Sequence, residues 1–175
     1  MSVLKVNDLQ QRAGPERNPL WVGWRGRKSV TADFILNYFE VRRSPVPVPE
    51  IAKRMGIVLK PISSGEASGA VRIEGRTATI FWNPAEAEVR QRFTLAHEIG
   101  HLLLHPSDLE FRDLQFTNFN QKEIEANQFA ADLLMPAWML WKVASAVGRD
   151  VRALSAAFDV SQVAMSYRMK NLRML

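Results

Sequence analysis

Apolar and polar residues recur with two different periods in the first half of the chain. At 31–41 apolar residues return every three or four positions, which predicts a helix, and a shorter helix is predicted at 49–54. Residues 57–62 form a mostly apolar run, while 70–73 and Thr77–Trp82 alternate on either side of a short turn, a pattern typical of strands and a hairpin. The first half therefore predicts a three-stranded sheet preceded by helices.

The second half follows the helical period. Asn83, Pro84 and Glu86 are typical of an N-cap and first helical turn, so a long helix is predicted at 84–105, followed by a loop at 106–119. The further helices that the pattern predicts lie in 121–136, 136–147, 150–158 and 161–172. The whole pattern predicts an α+β fold in which a small three-stranded sheet packs on a mostly helical domain, with a helical C-terminal part at 136–175.

Residues 1–30 show no sustained period. They are predicted to form a flexible or partner-binding N-terminal arm, so that the domain proper spans 31–175. Trp21 and Trp24 stand beside three basic residues, a combination that can stack on bases or dock a partner. The alternative, which we favour, is that the arm packs its tryptophans against its own domain, because tryptophans rarely stay exposed.

The segment RFTLAHEIGHLLLH, residues 92–105, carries the most informative chemical pattern. His97 and His101 are four residues apart, so a helix places both imidazoles on one face, about 6 Å apart at Cβ, within reach of one metal ion. Glu98 follows the first histidine, and in H-E-x-x-H this carboxylate is not a ligand but a general base toward water. Gly100 costs a helix about 1 kcal/mol relative to alanine, which indicates that another element packs very close there.

A zinc site needs a third protein ligand, and the chain contains no cysteine. Glu123 and Glu125 are the candidates in the next helix, and they point about 200° apart at helical period. We favour Glu123, because Asn127 lies one turn further on the same face and can accept a hydrogen bond from the outer N–H of a ligand histidine. Glu125 is chemically equivalent and stays open as the alternative.

Three more residues are candidates for the cleft. His105 continues the row of His97 and His101, but it lies too far along the helix to share their ion, so we expect it to cap the helix or to hydrogen-bond within the cleft. Tyr167 or Arg168 could donate to the developing oxyanion opposite the metal, although a structural role is favoured for both.

Composition narrows the class of protein without naming a function. The 175 residues are 47% hydrophobic and contain no long apolar run and no signal-peptide pattern, so we expect a soluble cytoplasmic protein with no membrane partner. The net charge of +5 favours acidic partners but is too small to assign nucleic-acid binding. The C-terminal stretch LSAAFDVSQVAMSYRMKNL resembles a helix-turn-helix, but its apolar pattern favours a packed bundle, and direct nucleic-acid binding is not expected.

The predicted sheet precedes the histidine helix, and its edge can bound a substrate cleft. An extended peptide can add to a free sheet edge as another strand and so bring its carbonyls to a metal. We predict Thr77–Trp82 as this edge, with an ordinary covered strand as the alternative.

The histidine segment and the later E-x-E-A-N-x-F-A-A-x-L-L-M-P together resemble the ImmA/IrrE family of bacterial metallopeptidases. The resemblance runs from about residue 45 to 172. It implies a zincin-like, cytoplasmic zinc-dependent endopeptidase with one ion, for which another divalent metal such as Mn²⁺ is possible. It also implies metal on His97, His101 and Glu123, with Glu98 as catalytic base, and a protein substrate of the helix-turn-helix (XRE-type) repressor or antitoxin-like kind, in stress response or mobile elements.

Two other functions stay open from the sequence. One is a regulator that binds a repressor or toxin without cutting it and holds its metal for structure. The other is a DNA-binding protein that uses the C-terminal helices and the basic arm. A steep salt dependence of binding to duplex DNA would support this function.

Overall fold

The computed structural model describes residues 19–62, 68–106 and 119–175. Over these residues the chain forms eight helices and one three-stranded sheet. The elements in chain order are α1 Leu20–Trp24, α2 Ala32–Tyr38, α3 Val48–Arg54, β1 Ile57–Pro61, β2 Gly69–Glu74, β3 Thr77–Trp82, α4 Glu88–Leu104, α5 Phe119–Leu134, α6 Ala137–Val147, α7 Val151–Phe158 and α8 Gln162–Asn171. The predicted α+β class is confirmed.

The sheet has the strand order β1-β3-β2. β2 pairs with β3 as the predicted antiparallel hairpin, with Val71 opposite Ile80, and β1 runs parallel to β3, with Ile57 beside Ala78. The prediction that Thr77–Trp82 is an edge strand is wrong, because this strand lies in the centre. The alternation of apolar and polar residues in this strand did not indicate that it pairs with a strand on each side. In the structure Ala78 and Ile80 of this strand are completely buried. β2 is the edge strand that reaches the cleft described below.

The long helix α4 begins later than the sequence predicts. Asn83 does cap a turn, since its Oδ1 accepts a hydrogen bond from the Ala85 N–H at 2.9 Å, but the regular helix starts at Glu88 with Ala87 as N-cap. A capped turn and a helix start share the same residue types, which explains the error of four positions.

Helices α4 and α5 pack together at Gly100. A Cβ on this residue would lie 3.2 Å from the Ala126 Cα and 3.3 Å from the Ala126 carbonyl oxygen, both backbone atoms of α5. The predicted close approach is confirmed. This contact sets the distance between α4, which carries His97 and His101, and α5, which carries Glu123.

The C-terminal part is helical, as predicted. Asp150 and Ser161 cap α7 and α8 by accepting hydrogen bonds from Ala153 N–H at 2.7 Å and Ala164 N–H at 3.1 Å. Gly148 ends α6 with a φ of 84°, a conformation that costs glycine little. The predicted loop at 106–119 lies outside the described residues except at its two ends.

The described part of the predicted arm packs on the domain. Trp21 and Trp24 are 0% and 1% exposed, and the Trp24 ring makes edge contacts with Phe34 at 5.3 Å and Tyr38 at 4.9 Å between centroids. The favoured interpretation, that the tryptophans pack against their own domain, is confirmed. Because both rings are buried, neither can stack on a nucleic-acid base in this structure. Over 19–30 the chain thus belongs to the body of the protein, while 1–18 lie outside the described residues.

A search of the described helices for a membrane-spanning segment finds none that combines the necessary length and apolar character.

Replacing Gly100 with alanine is expected to destabilise the protein. Overpacking against a fixed backbone costs about 1–3 kcal/mol, of which the better helix propensity of alanine returns at most about 1 kcal/mol. Gly23→Ala is the matched control, because nothing lies within 4 Å of its added Cβ. Urea unfolding measures both variants, and equal free energies of unfolding for the two would contradict a packing limit at Gly100.

Candidate metal centre

Two imidazoles from α4 form the first half of the centre. His97 and His101 stand one turn apart, their ring centroids are 4.6 Å apart, and their Nε2 atoms approach to 3.0 Å. Leu95, Ile99 and Leu102 bury the opposite side of the helix in the core. The apolar face thus holds the helix in place while both Nε2 atoms point to one position in the cleft.

Glu123 of α5 supplies a carboxylate to the same position. Its Oε2 lies 3.2 Å from His97 Nε2 and its Oε1 lies 3.1 Å from His101 Nε2. One donor atom from each of the three residues lies within 4.8 Å of the others, and these residues form the group with metal-ligand geometry in the described part of the chain. Ligand atoms about 2.0–2.1 Å from a tetrahedral zinc ion are separated by roughly 3.3 Å, so the donor set and its spacing fit such an ion.

The position of Glu123 follows from the packing at Gly100. Ala126 lies one turn after Glu123, and its backbone is the surface that a Cβ on Gly100 would meet at 3.2 Å. Because the two helix axes approach this closely, a short glutamate side chain spans the distance to both imidazoles. The absence of a side chain at residue 100 and the presence of a carboxylate at residue 123 are therefore parts of one arrangement.

Asn127 holds the outer side of His97. Its Oδ1 lies 3.0 Å from His97 Nδ1, so it accepts the Nδ1–H and leaves Nε2 with a free lone pair toward the centre. A partner of this kind sets the tautomer and orientation of a ligand histidine. The structure thus brings together Asn127 and His97 as the spacing of Glu123 and Asn127 predicts.

The environment keeps His101 neutral. Burial lowers the pKa of His101 below its usual 6.5, and the neighbouring His97 lowers it further, whereas Glu123 acts in the opposite direction. A neutral imidazole is the form that binds a metal ion. The local electrostatics therefore favour the ligand form of His101 at neutral pH.

Glu125 lies away from the centre and contacts other residues. Its Oε1 accepts a hydrogen bond from Gln121 Nε2 at 2.9 Å, and its Oε2 lies 3.4 Å from His105 Nε2. His105 is the C-cap residue of α4, and its backbone N–H donates to the His101 carbonyl oxygen at 2.9 Å. Of the two glutamates that the sequence left open, the structure brings Glu123 to the histidines.

Glu98 lies in the wall of the cleft and is only 8% exposed. Its Oε1 is 3.3 Å from the place where a Cβ on Gly69 would stand, at the start of the edge strand β2. A Cβ at residue 69 would collide with the Thr94 Cγ2 methyl, and it would also crowd this carboxylate and the Phe81 carbonyl oxygen, which lies 3.1 Å away. Gly69 thus lets the strand pass directly beside Glu98.

The three histidine and glutamate side chains lie in a cleft of about 740 Å³. The edge strand β2 forms one wall through Gly69, Ala70 and Val71, while α4 and α5 form the others. The cleft therefore has one wall from the sheet and two from helices.

Several cleft residues were not predicted from the sequence. Arg90 and Phe93 line the cleft from the two helical turns before His97, seven and four residues earlier. This spacing could have indicated from the sequence that both lie on the same helix face as His97. Ser68 lies at the cleft mouth and donates to Glu86 Oε1 at 2.6 Å, while Arg90 Nη2 approaches Ser68 Oγ at 3.4 Å. Only the pairing of strand and helix in three dimensions places Ser68 there.

The suggested oxyanion donors lie elsewhere. Arg168 is 5% exposed, and its guanidinium is engaged by the Met135 carbonyl oxygen at 2.9 Å and by Asp132 Oδ1 at 2.7 Å. Tyr167 is 66% exposed and lines a neighbouring cavity together with Arg168. The structure contradicts a place for either of them in the metal cleft, because α8 packs against the end of α5, beyond Asn127.

Comparison with known proteins identifies relatives of this chain. Residues 52–170 match the model of the Peptidase M78 family, described as the IrrE N-terminal-like domain. Uncharacterized immunity region protein 2 of Bacillus phage phi105 is 31% identical over 77 residues, which are 43% of this chain and 49% of the phage protein. Radiation response metalloprotease IrrE of Deinococcus radiodurans is 33% identical over 116 residues, which are 63% of this chain and 35% of that protein.

A solved structure has a similar fold. It is a transcriptional regulator of Mycobacterium tuberculosis, and it matches with a TM-score of 0.60 over 79% of this chain and 44% of its own, at 17% identity. This likeness concerns the fold alone. The chain spans half or less of the length of each of these relatives.

Glu123→Gln is expected to abolish tight binding of Zn²⁺, because it removes the carboxylate that lies between the two imidazoles. Glu125→Gln is the matched control two residues away and is expected to bind zinc as the unchanged protein does. Competition against a chromophoric zinc chelator measures both affinities. A loss of zinc in Glu125→Gln with retention in Glu123→Gln would assign the third ligand to the other glutamate.

Asn127→Ala is expected to weaken zinc binding by about 10- to 100-fold, the usual effect of removing the partner of a ligand histidine. The same competition assay measures this variant. An unchanged affinity would mean that His97 is oriented by its packing alone.

Proposed function

The chain belongs to the IrrE N-terminal-like domain family of peptidases, and on that premise we propose that it is a zinc-dependent endopeptidase whose centre consists of His97, His101, Glu123 and Glu98. The observation that carries the proposal is the convergence of three donor side chains from α4 and α5 beside a buried carboxylate. The pattern H-E-x-x-H with a third acidic ligand on a later helix is the arrangement of a hydrolytic zinc site.

Three side chains are the proposed ligands of one metal ion. His97, His101 and Glu123 hold one divalent ion, and Asn127 keeps His97 in the ligand tautomer. A bound ion of this kind supplies Lewis acidity to a peptide carbonyl and to water. Two imidazoles and one carboxylate favour zinc, and the same set accepts Mn²⁺.

Glu98 is the proposed general base and acid. Its carboxylate takes a proton from the attacking water as the water oxygen forms a bond to the peptide carbonyl carbon. The same carboxyl group then returns that proton to the leaving nitrogen as the C–N bond breaks, so protons and electrons balance over the cycle. Glu98 lines the cleft and is only 8% exposed, so most of its side chain is surrounded by protein.

The edge strand β2 is the proposed track for the substrate. Among the described residues its one strand neighbour is β3, so we expect an extended peptide to pair with its other side. Gly69, Ala70 and Val71 line the cleft along this side, and Gly69 passes directly beside Glu98. A peptide added here lies with its backbone next to both the ligands and the base.

The proposed substrate class is a transcriptional repressor of the helix-turn-helix (XRE) kind or an antitoxin-like regulator, cut in the cytoplasm. The phage relative is named an immunity region protein and the Deinococcus relative a metalloprotease, and together with the peptidase family these names support a protein substrate. The narrower repressor or antitoxin-like class is what the resemblance to the ImmA/IrrE family implies.

Glu98→Gln is expected to bind zinc as the unchanged protein does and to lower the rate of cleavage by at least about 10²–10⁴-fold, because a positioned base contributes that much. Co-expression with repressors encoded beside this protein, followed by mass spectrometry of the repressor, measures cleavage, and zinc content is measured separately. Glu88→Gln, an exposed glutamate on the same helix, is the matched control.

Zinc removal by a chelator is expected to stop cleavage in the same assay, and added zinc to restore it. A repressor that binds the zinc-loaded protein but is never cut would replace the peptidase by a non-cleaving regulator. Cleavage by Glu98→Gln at the unchanged rate would remove Glu98 from the proposed mechanism.

A further inference from the structure

A second cavity adjoins the metal cleft. It has a volume of about 400 Å³ and lies between the start of α4, the later part of α5, and α8. Arg90, Phe93 and Asn127 line both cavities and form their common boundary. We propose that this cavity, the side pocket, receives one large apolar side chain of the substrate, from a residue within two positions of the scissile bond; this inference rests on the proposed peptidase function.

The walls of the side pocket are mainly apolar. They come from three parts of the chain that are distant in sequence, and the apolar lining residues include Val89, Phe93, Ala131, Met135, Val163 and Ala164. An aromatic or long aliphatic side chain placed against such walls leaves water, which is favourable in proportion to the apolar area that it buries. The walls therefore select for apolar character.

The one buried charge of the side pocket is neutralised within the protein. Arg168 donates from Nε to the Met135 carbonyl oxygen at 2.9 Å, and its Nη2 lies 2.7 Å from Asp132 Oδ1. These contacts tie α8 to the end of α5, so they also fix the width of the pocket. The other charged residue of the lining, Arg90, is exposed and lies 3.9 Å from Glu86 Oε2, so the apolar walls rather than a charge are expected to select the occupant.

The side pocket is close enough to the reacting position to take a neighbouring side chain. Phe93 stands 6.2 Å from the His97 ring between centroids, and Asn127 Oδ1 is 3.0 Å from His97 Nδ1. An extended peptide advances about 3.3 Å per residue. A side chain that passes between Phe93 and Asn127 therefore belongs to a residue one or two positions from the carbonyl at the metal.

Size and exposure support a single side chain as the occupant. The side pocket measures about 400 Å³, which leaves room for one large aromatic or aliphatic side chain. Val163 and Tyr167 at its rim are each 66% exposed, although both carry large apolar surface. An apolar side chain seated below them would cover part of that surface and complete the packing around α8.

The test fills the side pocket without touching the ligands. Ala164→Phe extends a ring from α8 into the cavity, and Ala131→Leu fills it from α5 as a second, milder variant. Ala146→Phe is the matched control, since this residue is exposed on α6 and does not line the cavity. Circular dichroism and zinc affinity establish that each variant is folded and has its centre intact.

Two measurements separate the side pocket from the chemistry. Binding uses zinc-loaded protein with the Glu98→Gln substitution and a fluorescent alanine/serine peptide that contains either a single Phe or none. We expect the Phe peptide to bind about 10- to 100-fold more tightly. Cleavage uses the unchanged centre and a peptide library with Phe, Leu, Ala, Gly or Asp at each of the two positions on either side of the cut bond.

We expect the unchanged protein to prefer Phe and Leu at one position of the library. This preference and the difference in binding are expected to disappear in Ala164→Phe and to become smaller in Ala131→Leu. The control Ala146→Phe is expected to keep both. A binding preference for Phe with no cleavage of any peptide or repressor would retain the side pocket and overturn the proposed peptidase. Cleavage without an apolar preference, a preference that Ala164→Phe leaves intact, or equal binding of the two peptides would overturn the side pocket.

Discussion

The close approach of α4 to α5 at Gly100 is the contact on which the rest of the site depends. Backbone atoms of Ala126 lie where a side chain at residue 100 would begin, at 3.2 Å from the would-be Cβ. This short separation lets Glu123 reach both imidazoles and lets Asn127 reach the outer nitrogen of His97. A metal site of two helices needs such a fixed distance, because ligand geometry tolerates errors of only a few tenths of an ångström.

The cleft combines rigid side chains with an open backbone edge. The two helices are anchored in the core by fully buried residues such as Ile99 and Leu133, so the ligands have little freedom to move. The edge strand β2 adds the opposite wall, and Gly69 brings its backbone next to Glu98 without a side chain between them. In the described part of the chain β2 has a strand neighbour on one side only, and backbone pairing on its other side would need an extended chain.

The C-terminal helices serve the site by packing rather than by donating to the reacting atoms. The Arg168 guanidinium joins α8 to Met135 and Asp132 at the end of α5, and the first turn of α8 faces the boundary formed by Phe93 and Asn127. The helix-turn-helix pattern of this stretch is thus compatible with a packed bundle. The exposed Val163 and Tyr167 line a cavity that shares Arg90, Phe93 and Asn127 with the cleft.

The sequence by itself determined the elements and the chemistry that depend on local spacing. The i, i+4 histidines and the glycine between them indicated a candidate ligand pair on one face and a close helix contact, because helical geometry sets both from local spacing. Glu123 was favoured on the same ground, since Asn127 follows one turn later, but two equivalent glutamates could be separated only by the structure, where Glu125 turns toward Gln121 and His105. Only the tertiary structure decided three features, namely the strand order, the contact of Gly69 with Glu98, and the packing contacts of Arg168. Each of them joins residues that are far apart in the chain, and the periodicity of a local segment contains no information about such contacts.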